Sequence, residues 1–183
     1  MLRTVGFRSH FKDEAAGVDL ARLGPPQTFL SFIFFQQDVY KRQFEKRTEF
    51  LRSGGYLFAA TISRFASFIA ALSEGRLTDE TFVPIVEADL RCGHHRNPTD
   101  NISFFTDAFF HRNAEIRGEL EEGGFSIAAQ IPIEGLGCVE RDIEAVWADP
   151  PSKEALLNLV AQTDMIDEIS GVSFHFMTVG RKA

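Results

Sequence analysis

The stretch Leu51–Ile62, which reads LRSGGYLFAATI, decides the fold of this chain. Its two adjacent glycines are typical of a helix end, because glycine readily adopts the left-handed conformation that follows the last helical residue. The run Tyr56–Ile62 carries no charge and fits a strand buried on both faces of a parallel sheet. A helix over Phe44–Leu51, the Gly-Gly step and this strand together predict one helix–strand unit of a doubly wound α/β fold.

Composition limits the classes of function. A length of 183 residues fits one domain with a substantial core. The formal net charge of -7 argues against a nucleic-acid-binding surface, which requires clustered Lys and Arg. Cys92 and Cys138 are far apart in sequence, as expected of reduced cytosolic thiols. No apolar run approaches the ~20 residues of a membrane helix. We therefore expect a cytoplasmic protein with neither a nucleic-acid nor a membrane partner.

Residues 1–43 differ in character from the rest of the chain. Thr28–Phe35 is a β-prone apolar run that fits a buried strand and is an aggregation hazard if it stays unpaired. The following segment, Asp38–Gln43, reads DVYKRQ. One reading frame of a transposon end used to prepare sequencing libraries encodes the same residues. We hypothesise that residues 1–43 are partly an assembly artefact; the alternative is a chance coincidence.

Two helices are predicted after the strand, over Arg64–Leu72 and Thr78–Leu90. Ser63 is expected to cap the first helix, and Arg64 is either a ligand contact or a solvated surface residue, because ligands of open α/β sheets bind beyond the carboxyl ends of strands. We interpret residues 63–110 as a helical insertion that roofs this crevice. Apolar residues recur at helical spacing in both helices: Phe65, Phe68, Ile69 and Leu72, then Phe82, Ile85, Val86 and Leu90.

The segment Arg91–Asn101 is the most polar of the chain and is predicted to be a loop by its Gly and Asn-Pro signals. Loops on a rigid scaffold carry function disproportionately. The leading candidates for substrate contacts are therefore His94, His95, Arg96 and Asn97. The alternative is a solvated turn whose side chains cap neighbouring helices. A zinc site using Cys92, His94 and His95 is a weak alternative, because zinc ligands usually come from two spaced clusters.

The remaining elements are predicted from capping and periodicity. Asn113 is expected to cap a helix over Ala114–Glu122 with Ile116 and Leu120 facing inward, and Gly123-Gly124 to end it before a strand over Phe125–Ile133. Two more helices and a final strand follow: Asp142–Ala148, Pro151–Gln162 and Gly171–Gly180.

Two histidines outside the polar loop are also candidates. His111 precedes a helix start and is a candidate base or substrate hydrogen-bond donor; the alternative is a structural histidine packed among Phe105, Phe109 and Phe110. His175 alternates with Phe174 and Phe176 in the final strand, and we expect it to be structural.

This order of elements resembles the C-terminal half of a class I S-adenosylmethionine-dependent methyltransferase, over about residues 44–183. Leu51–Phe58 is similar to the Leu-Arg-Pro-Gly-Gly step into strand five of that family, and Glu119–Phe125 to the helix end that leads into strand six. The terminal strand would be the antiparallel strand seven. Three further segments look like one uncharacterised bacterial subgroup: Ile62–Ser67, His95–Pro98 and Phe109–Arg112.

The resemblance implies a partial Rossmann-like fold, S-adenosylmethionine as cofactor and a small-molecule acceptor. The acceptor would be selected by the insertion and the His95-Arg96-Asn97 loop, with His111 as a candidate base. The family holds its cofactor on a glycine-rich loop, and no Gly-x-Gly sequence occurs before residue 50. We therefore expect the cofactor half to be missing, no cofactor-binding residue to be assignable, and this chain to be inactive. One alternative is a non-catalytic binding module; another is a zinc hydrolase built on His94, His95 and His111.

Overall fold

The structure, a computed structural model, describes residues 51–164 and 166–183. Within those ranges the chain has a mixed α/β fold of five helices and five strands. The predictions for residues 1–43, for the strand Thr28–Phe35 and for the body of the helix Phe44–Leu51 lie outside the described residues. The strands are β1 (Tyr56–Ile62), β2 (His94–His95), β3 (Ala108–Phe109), β4 (Phe125–Pro132) and β5 (His175–Lys182). The helices are α1 (Ala66–Ser73), α2 (Phe82–Cys92), α3 (Asn113–Glu122), α4 (Ile143–Ala148) and α5 (Pro150–Thr163).

The main sheet has the order β1-β5-β4, with the last strand of the chain in the middle. β5 is antiparallel to both neighbours: Ile62 pairs with His175 on one side, and Pro132 pairs with Phe176 on the other. β1 and β4 therefore run in the same direction and are not hydrogen-bonded to each other. The burial of β1 on both faces is confirmed. Its one pairing within the described residues is antiparallel, with β5, so the predicted parallel neighbour is not seen there. A doubly buried strand is apolar whichever way its neighbour runs, so composition does not report that direction.

The first core lies between this sheet and α3. Ile116 and Leu120 are fully buried, which confirms their predicted inward orientation. α3 begins at Asn113, one residue before the prediction, and the Glu115 carboxylate accepts a hydrogen bond from the backbone N–H of Arg112 at 2.8 Å. The helix ends at the two predicted glycines, of which Gly124 has a φ of 81°. The core residues are Leu51, Leu57, Ala59, Ile116, Leu120, Phe125 and Phe176.

The second core joins α1 and α2 of the insertion. α2 begins at Phe82 and not at Thr78, because the Asp79 carboxylate accepts hydrogen bonds from the N–H groups of Thr81 and Phe82, both at 3.0 Å. α1 begins at Ala66, two residues later than predicted. The core residues are Ala70, Ala71, Phe82, Ile85, Val86 and Phe104.

The predicted apolar face of α1 is largely wrong. Ile69 is buried, but Phe65, Phe68 and Leu72 are exposed. α1 instead buries its small residues: Ala70 and Ala71 pack in the second core with Phe82 and Phe104, and Ala66 packs against Ala108 and Phe110. The large side chains of α1 therefore line the surface.

A short ribbon connects the insertion to the sheet. β2 pairs with β3 through His94–Phe109 and His95–Ala108. Past β3, the N–H of His111 donates to the carbonyl of Ile62 at 2.8 Å, and the N–H of Arg64 donates to the carbonyl of His111 at 2.7 Å. These two bonds fix the ribbon beside the carboxyl end of β1.

The excursion formed by α4 and α5 packs loosely. Asp142 caps α4 by accepting a hydrogen bond from the N–H of Ala145 at 3.1 Å, and Asp149 caps α5 in the same way from Ser152. Neither helix contains a buried residue. Among the described residues, no helix is both long enough and apolar enough to cross a lipid bilayer.

Candidate functional site

Arg64 is buried, with 2 % of its surface exposed, so the solvated alternative for it is wrong. Its Nε donates to the carbonyl of Phe110 at 2.7 Å, and its Nη2 donates to both carboxylate oxygens of Glu115, at 2.6 and 2.8 Å. These charge-assisted bonds join the end of β1 to the start of α3. Because the guanidinium is held by protein groups, its geometry indicates a structural role and not a ligand contact.

His111 is also inside the protein. Burial and the nearby Arg64 charge lower the pKa of its imidazole to about 3. Its Nε2 lies 3.5 Å from Glu119 Oε2, while burial and the Glu122 charge raise the pKa of Glu119 to about 7. The distance would allow an ion pair, but both pKa values favour a neutral pair below pH 7. The imidazole has no exposed surface from which to reach a ligand, and this geometry favours the structural alternative for His111.

His95 is held by an acceptor at each ring nitrogen. Nδ1 lies 2.8 Å from Asp89 Oδ2, and Nε2 lies 2.7 Å from the carbonyl oxygen of Phe104. The ring stacks on Phe110 at 4.6 Å with an interplanar angle of 7°. Burial alone would lower the pKa of His95, but the hydrogen bond and charge of Asp89, with the Phe104 carbonyl, raise it. These two hydrogen bonds join the loop residue His95 to Asp89 of α2 and to Phe104.

The other three loop candidates are nearer the surface. His94 is exposed and makes an edge contact with the ring of Phe109 at 5.1 Å. Arg96 pairs with Asp107, 2.7 Å between Nη1 and Oδ2. The Asn97 side chain donates to two loop carbonyls and accepts from Thr99. Arg96 and Asn97 thus bond to groups of the same loop region, whereas the alternative predicted for them was a solvated turn whose side chains cap neighbouring helices.

The six predicted contact residues lie in different environments, although Arg64, His94 and His111 all contact the ring of Phe109. Arg64, His95 and His111 lie in the interior, whereas His94 and Arg96 lie on the surface. The zinc alternatives are not supported either, because no group of three or more His, Cys, Asp or Glu side chains within the described ranges could hold a metal ion.

An apolar groove of about 590 Å³ lies along α1 instead. Ser63 connects it to the sheet: its Oγ accepts a hydrogen bond from the N–H of Phe65 at 3.2 Å and donates to the carbonyl of Gly171 at 3.1 Å. The predicted helix cap is wrong: α1 begins at Ala66 with Phe65 at the N-cap position and no side-chain cap, and the bond of Ser63 goes to the N–H of Phe65 before the helix starts. We call this cavity the α1 groove; its lining residues are Phe65, Phe68, Ile69, Leu72, Ser73, Val139, Arg141, Glu168, Gly171 and Val172.

A polar cluster that the sequence analysis did not select lies at the same end of the sheet. His175 Nδ1 is 2.7 Å from Glu134 Oε1. Glu134 Oε2 accepts hydrogen bonds from the N–H of His175 at 2.9 Å and from Ser173 Oγ at 2.8 Å. Burial opposes ionisation of Glu134, but its bonds to His175 and Ser173 and the His175 charge outweigh burial and lower its pKa. The one sequence signal for Glu134 is its place just after β4, where polar groups of α/β folds commonly act.

No protein-family model matches this chain, and no curated protein matches it.

Proposed function

We propose that this chain is the acceptor-binding, C-terminal half of a class I S-adenosylmethionine-dependent methyltransferase and that it binds a small apolar molecule in the α1 groove. The observation that carries the proposal is the position of β5, antiparallel to both β1 and β4 and between them. The resemblance expects the terminal strand to be an antiparallel strand seven. On this proposal, β1, β4 and β5 are strands five, six and seven of a partial Rossmann-like fold.

The place of the α1 groove supports acceptor binding. β1 and β4 run in the same direction, so their carboxyl ends meet at one edge of the sheet, and ligands of open α/β sheets bind at that edge. Ser63, immediately after β1, is bonded to both Phe65 and Gly171 of the groove wall. The volume and the mostly apolar lining suit a small molecule. Arg141 and Glu168 are the charged residues of that lining and would orient polar ends of the ligand.

The transfer step needs more than this half. Methyl transfer depends on holding the acceptor and the sulfonium methyl in line, and the cofactor supplies that methyl group. The family's glycine-rich loop has no counterpart before residue 50. We therefore propose that this chain binds S-adenosylmethionine negligibly and has no transferase activity by itself. We also propose that it is a cytoplasmic protein.

Two measurements test cofactor binding and descent. Calorimetric titration with S-adenosylmethionine should give no heat of micromolar binding, and clear micromolar binding would refute the proposed inactivity. The genomic DNA upstream should encode a glycine-rich loop in frame, ~100 residues before Gly54, as expected for the first strand–helix turn of such a fold. An uninterrupted native frame without that loop would contradict the proposed descent.

Groove binding is tested with the fluorescent probe 1-anilinonaphthalene-8-sulfonate. Phe68→Asp introduces a charge into the lining, whereas Leu159→Asp introduces the same charge at an exposed position of α5 outside the groove. The wild type and the Leu159 variant should bind the probe alike. The Phe68 variant should bind at least ~10-fold more weakly, or by ~1.4 kcal/mol, because the carboxylate replaces apolar contact surface and repels the sulfonate of the probe. Equal binding by all three proteins would contradict the assignment of the groove.

The second candidate function is a non-catalytic binding module. It is favoured by the two cores that the described residues build around α3 and around α1 and α2. Thermal melting separates the two possibilities: a cooperative transition supports a self-sufficient module, whereas aggregation on heating supports a fragment of a larger enzyme.

A further inference from the structure

Glu134 and His175 form a carboxylate–imidazole pair at the ligand-binding edge of the sheet. They are 41 positions apart in sequence, and the sheet brings them together: Glu134 follows β4, and His175 begins β5. The N–H of Ile133 donates to the carbonyl of His175 at 2.9 Å, which fixes the backbone on which both side chains stand. The pair is therefore set by sheet register and not by a flexible loop.

The hydrogen bonds assign the proton on the His175 ring. An ionised carboxylate only accepts hydrogen bonds, so the nitrogen 2.7 Å from Glu134 Oε1 must be a donor, and Nδ1 carries the proton. In the neutral imidazole this leaves the lone pair on Nε2. The His175 side chain is 30 % exposed, and no described residue hydrogen-bonds to Nε2. The ring thus presents a proton acceptor to the surface.

Glu134 is held firmly enough to orient the ring. The hydroxyl of Ser173, which is fully buried, lies 2.8 Å from Glu134 Oε2 and 2.7 Å from the carbonyl oxygen of His175, and these two acceptors share its one proton. Its Oγ accepts hydrogen bonds from the N–H groups of Glu134 and Gly135, both at 3.2 Å. A carboxylate with these partners stays ionised, and it stabilises the positive charge that appears when the imidazole takes up a proton.

The chain also connects this pair to the α1 groove. Gly171 and Val172 line the groove and lead directly into Ser173, two residues before His175. The carbonyl of Val172 is 3.8 Å from the Cys138 thiol, next to Val139 of the opposite part of the lining. One wall of the groove therefore leads along the chain to the imidazole. His175 and Glu134 do not line the groove, so a bound ligand would extend beyond the lining to reach Nε2.

We propose that His175 Nε2 accepts the proton of a ligand hydroxyl that is weakly acidic, such as a phenol or an enol, whose apolar body occupies the α1 groove. The inference rests on the proposed function, because it names the class of molecule that the groove takes. The O–H bond breaks, its electron pair stays on the oxygen, and the proton moves to Nε2. The resulting imidazolium keeps its Nδ1–H bond to Glu134, which balances its charge.

The test uses 4-nitrophenol, whose ionised form absorbs visible light. Below the pKa of the free phenol, the wild type should bind the probe and raise its ratio of ionised to neutral form about tenfold, since an adjacent cation lowers a phenol pKa by about one unit. His175→Gln should still bind the probe but leave it neutral, and Glu134→Gln should reduce the ionised fraction. Circular dichroism confirms that each variant is folded.

The outcomes separate the two proposals. Wild-type protein that binds 4-nitrophenol and leaves it neutral overturns the role of His175 while the groove stands. Wild-type protein that binds neither 4-nitrophenol nor the fluorescent probe overturns both. Nitrogen NMR of the unliganded protein gives a readout independent of ligand: a proton on Nε2 with a bare Nδ1 in neutral His175 overturns the inference, and the reverse arrangement supports it.

Discussion

Arg64 and Glu115 form an ion pair in which one guanidinium nitrogen, Nη2, lies 2.6 and 2.8 Å from the two carboxylate oxygens. Arg64 belongs to the insertion, 51 positions before Glu115 in α3. The guanidinium is buried whereas 36 % of the Glu115 side chain is exposed. The pair therefore joins the insertion to the sheet–helix core. Because Glu115 is partly exposed, a substitution there removes the negative partner and leaves the Arg64 charge buried.

Glu115→Ala should destabilise the protein by about 2–4 kcal/mol, because Arg64 is left buried without its carboxylate. This expected loss of stability is smaller than for a fully buried ion pair, because solvent partly screens Glu115. Glu121→Ala is the matched control on the exposed face of α3 and should change the free energy of unfolding by less than about 0.5 kcal/mol. Urea denaturation measures both, and equal effects would show that the ion pair contributes little.

Gly93→Ala should destabilise the protein by more than about 2 kcal/mol. Gly93 ends α2 with a φ of 74°, and an added Cβ would lie 2.5 Å from both the Phe110 carbonyl oxygen and Arg64 Nη2. Gly118→Ala is the control: it lies inside α3 with open space around the added Cβ, and it should stabilise the helix by about 0.5–1 kcal/mol. Opposite signs in denaturation experiments are expected, and a neutral Gly93 variant would contradict the close packing.

Local sequence patterns predict the elements well where one face is buried. Ile116 and Leu120 share a face of α3 as their spacing requires, and β1 is buried along its length. Periodicity reports which side chains lie together, but not which face of a helix the rest of the chain covers. Phe68 and Ile69 show the difference, because the close contact of α1 and α2 uses alanines and leaves the Phe68 ring outside.

The candidate site was harder to predict because its polar groups depend on distant partners. His95 lies in a polar loop, yet Asp89 and the Phe104 carbonyl satisfy it inside the protein. His175 and Glu134 meet only through the register of β4 and β5. Sequence shows the residue types, whereas the pairing of a charged side chain decides whether it is structural or available to a ligand.

The stability of the protein should fall as pH rises above about 6.5 because of His95. The pKa of His95 is raised in the folded state, so its contribution is fully present below the ordinary value of 6.5 and is lost as pH rises through the higher folded value. Asp89→Asn removes the carboxylate that raises this pKa and should flatten the dependence. Thermal melting between pH 6 and 9 measures how steeply the melting temperature falls with pH. If the Asp89 variant shows the same slope as the wild type, another titrating group causes the fall.

Glu119→Gln should stabilise the protein at pH 8 and have a smaller effect at pH 5. The pKa of Glu119 is raised from 4.5 to about 7, so the protonated form is favoured on folding, and this contribution is lost as pH rises from 4.5 through 7. Glutamine stays neutral and can donate to His111, whose pKa of about 3 keeps it uncharged at both pH values. The gain in the free energy of unfolding at pH 8 should be about 1 kcal/mol, after allowance for the partial exposure of Glu119.

Glu122→Gln is the exposed control on the same helix. It should give a smaller gain, because it relieves the repulsion between Glu122 and Glu119. Urea denaturation at the two pH values measures the difference. A Glu119 variant less stable than the wild type at pH 8 would show that the carboxylate is ionised and paired with a protonated His111.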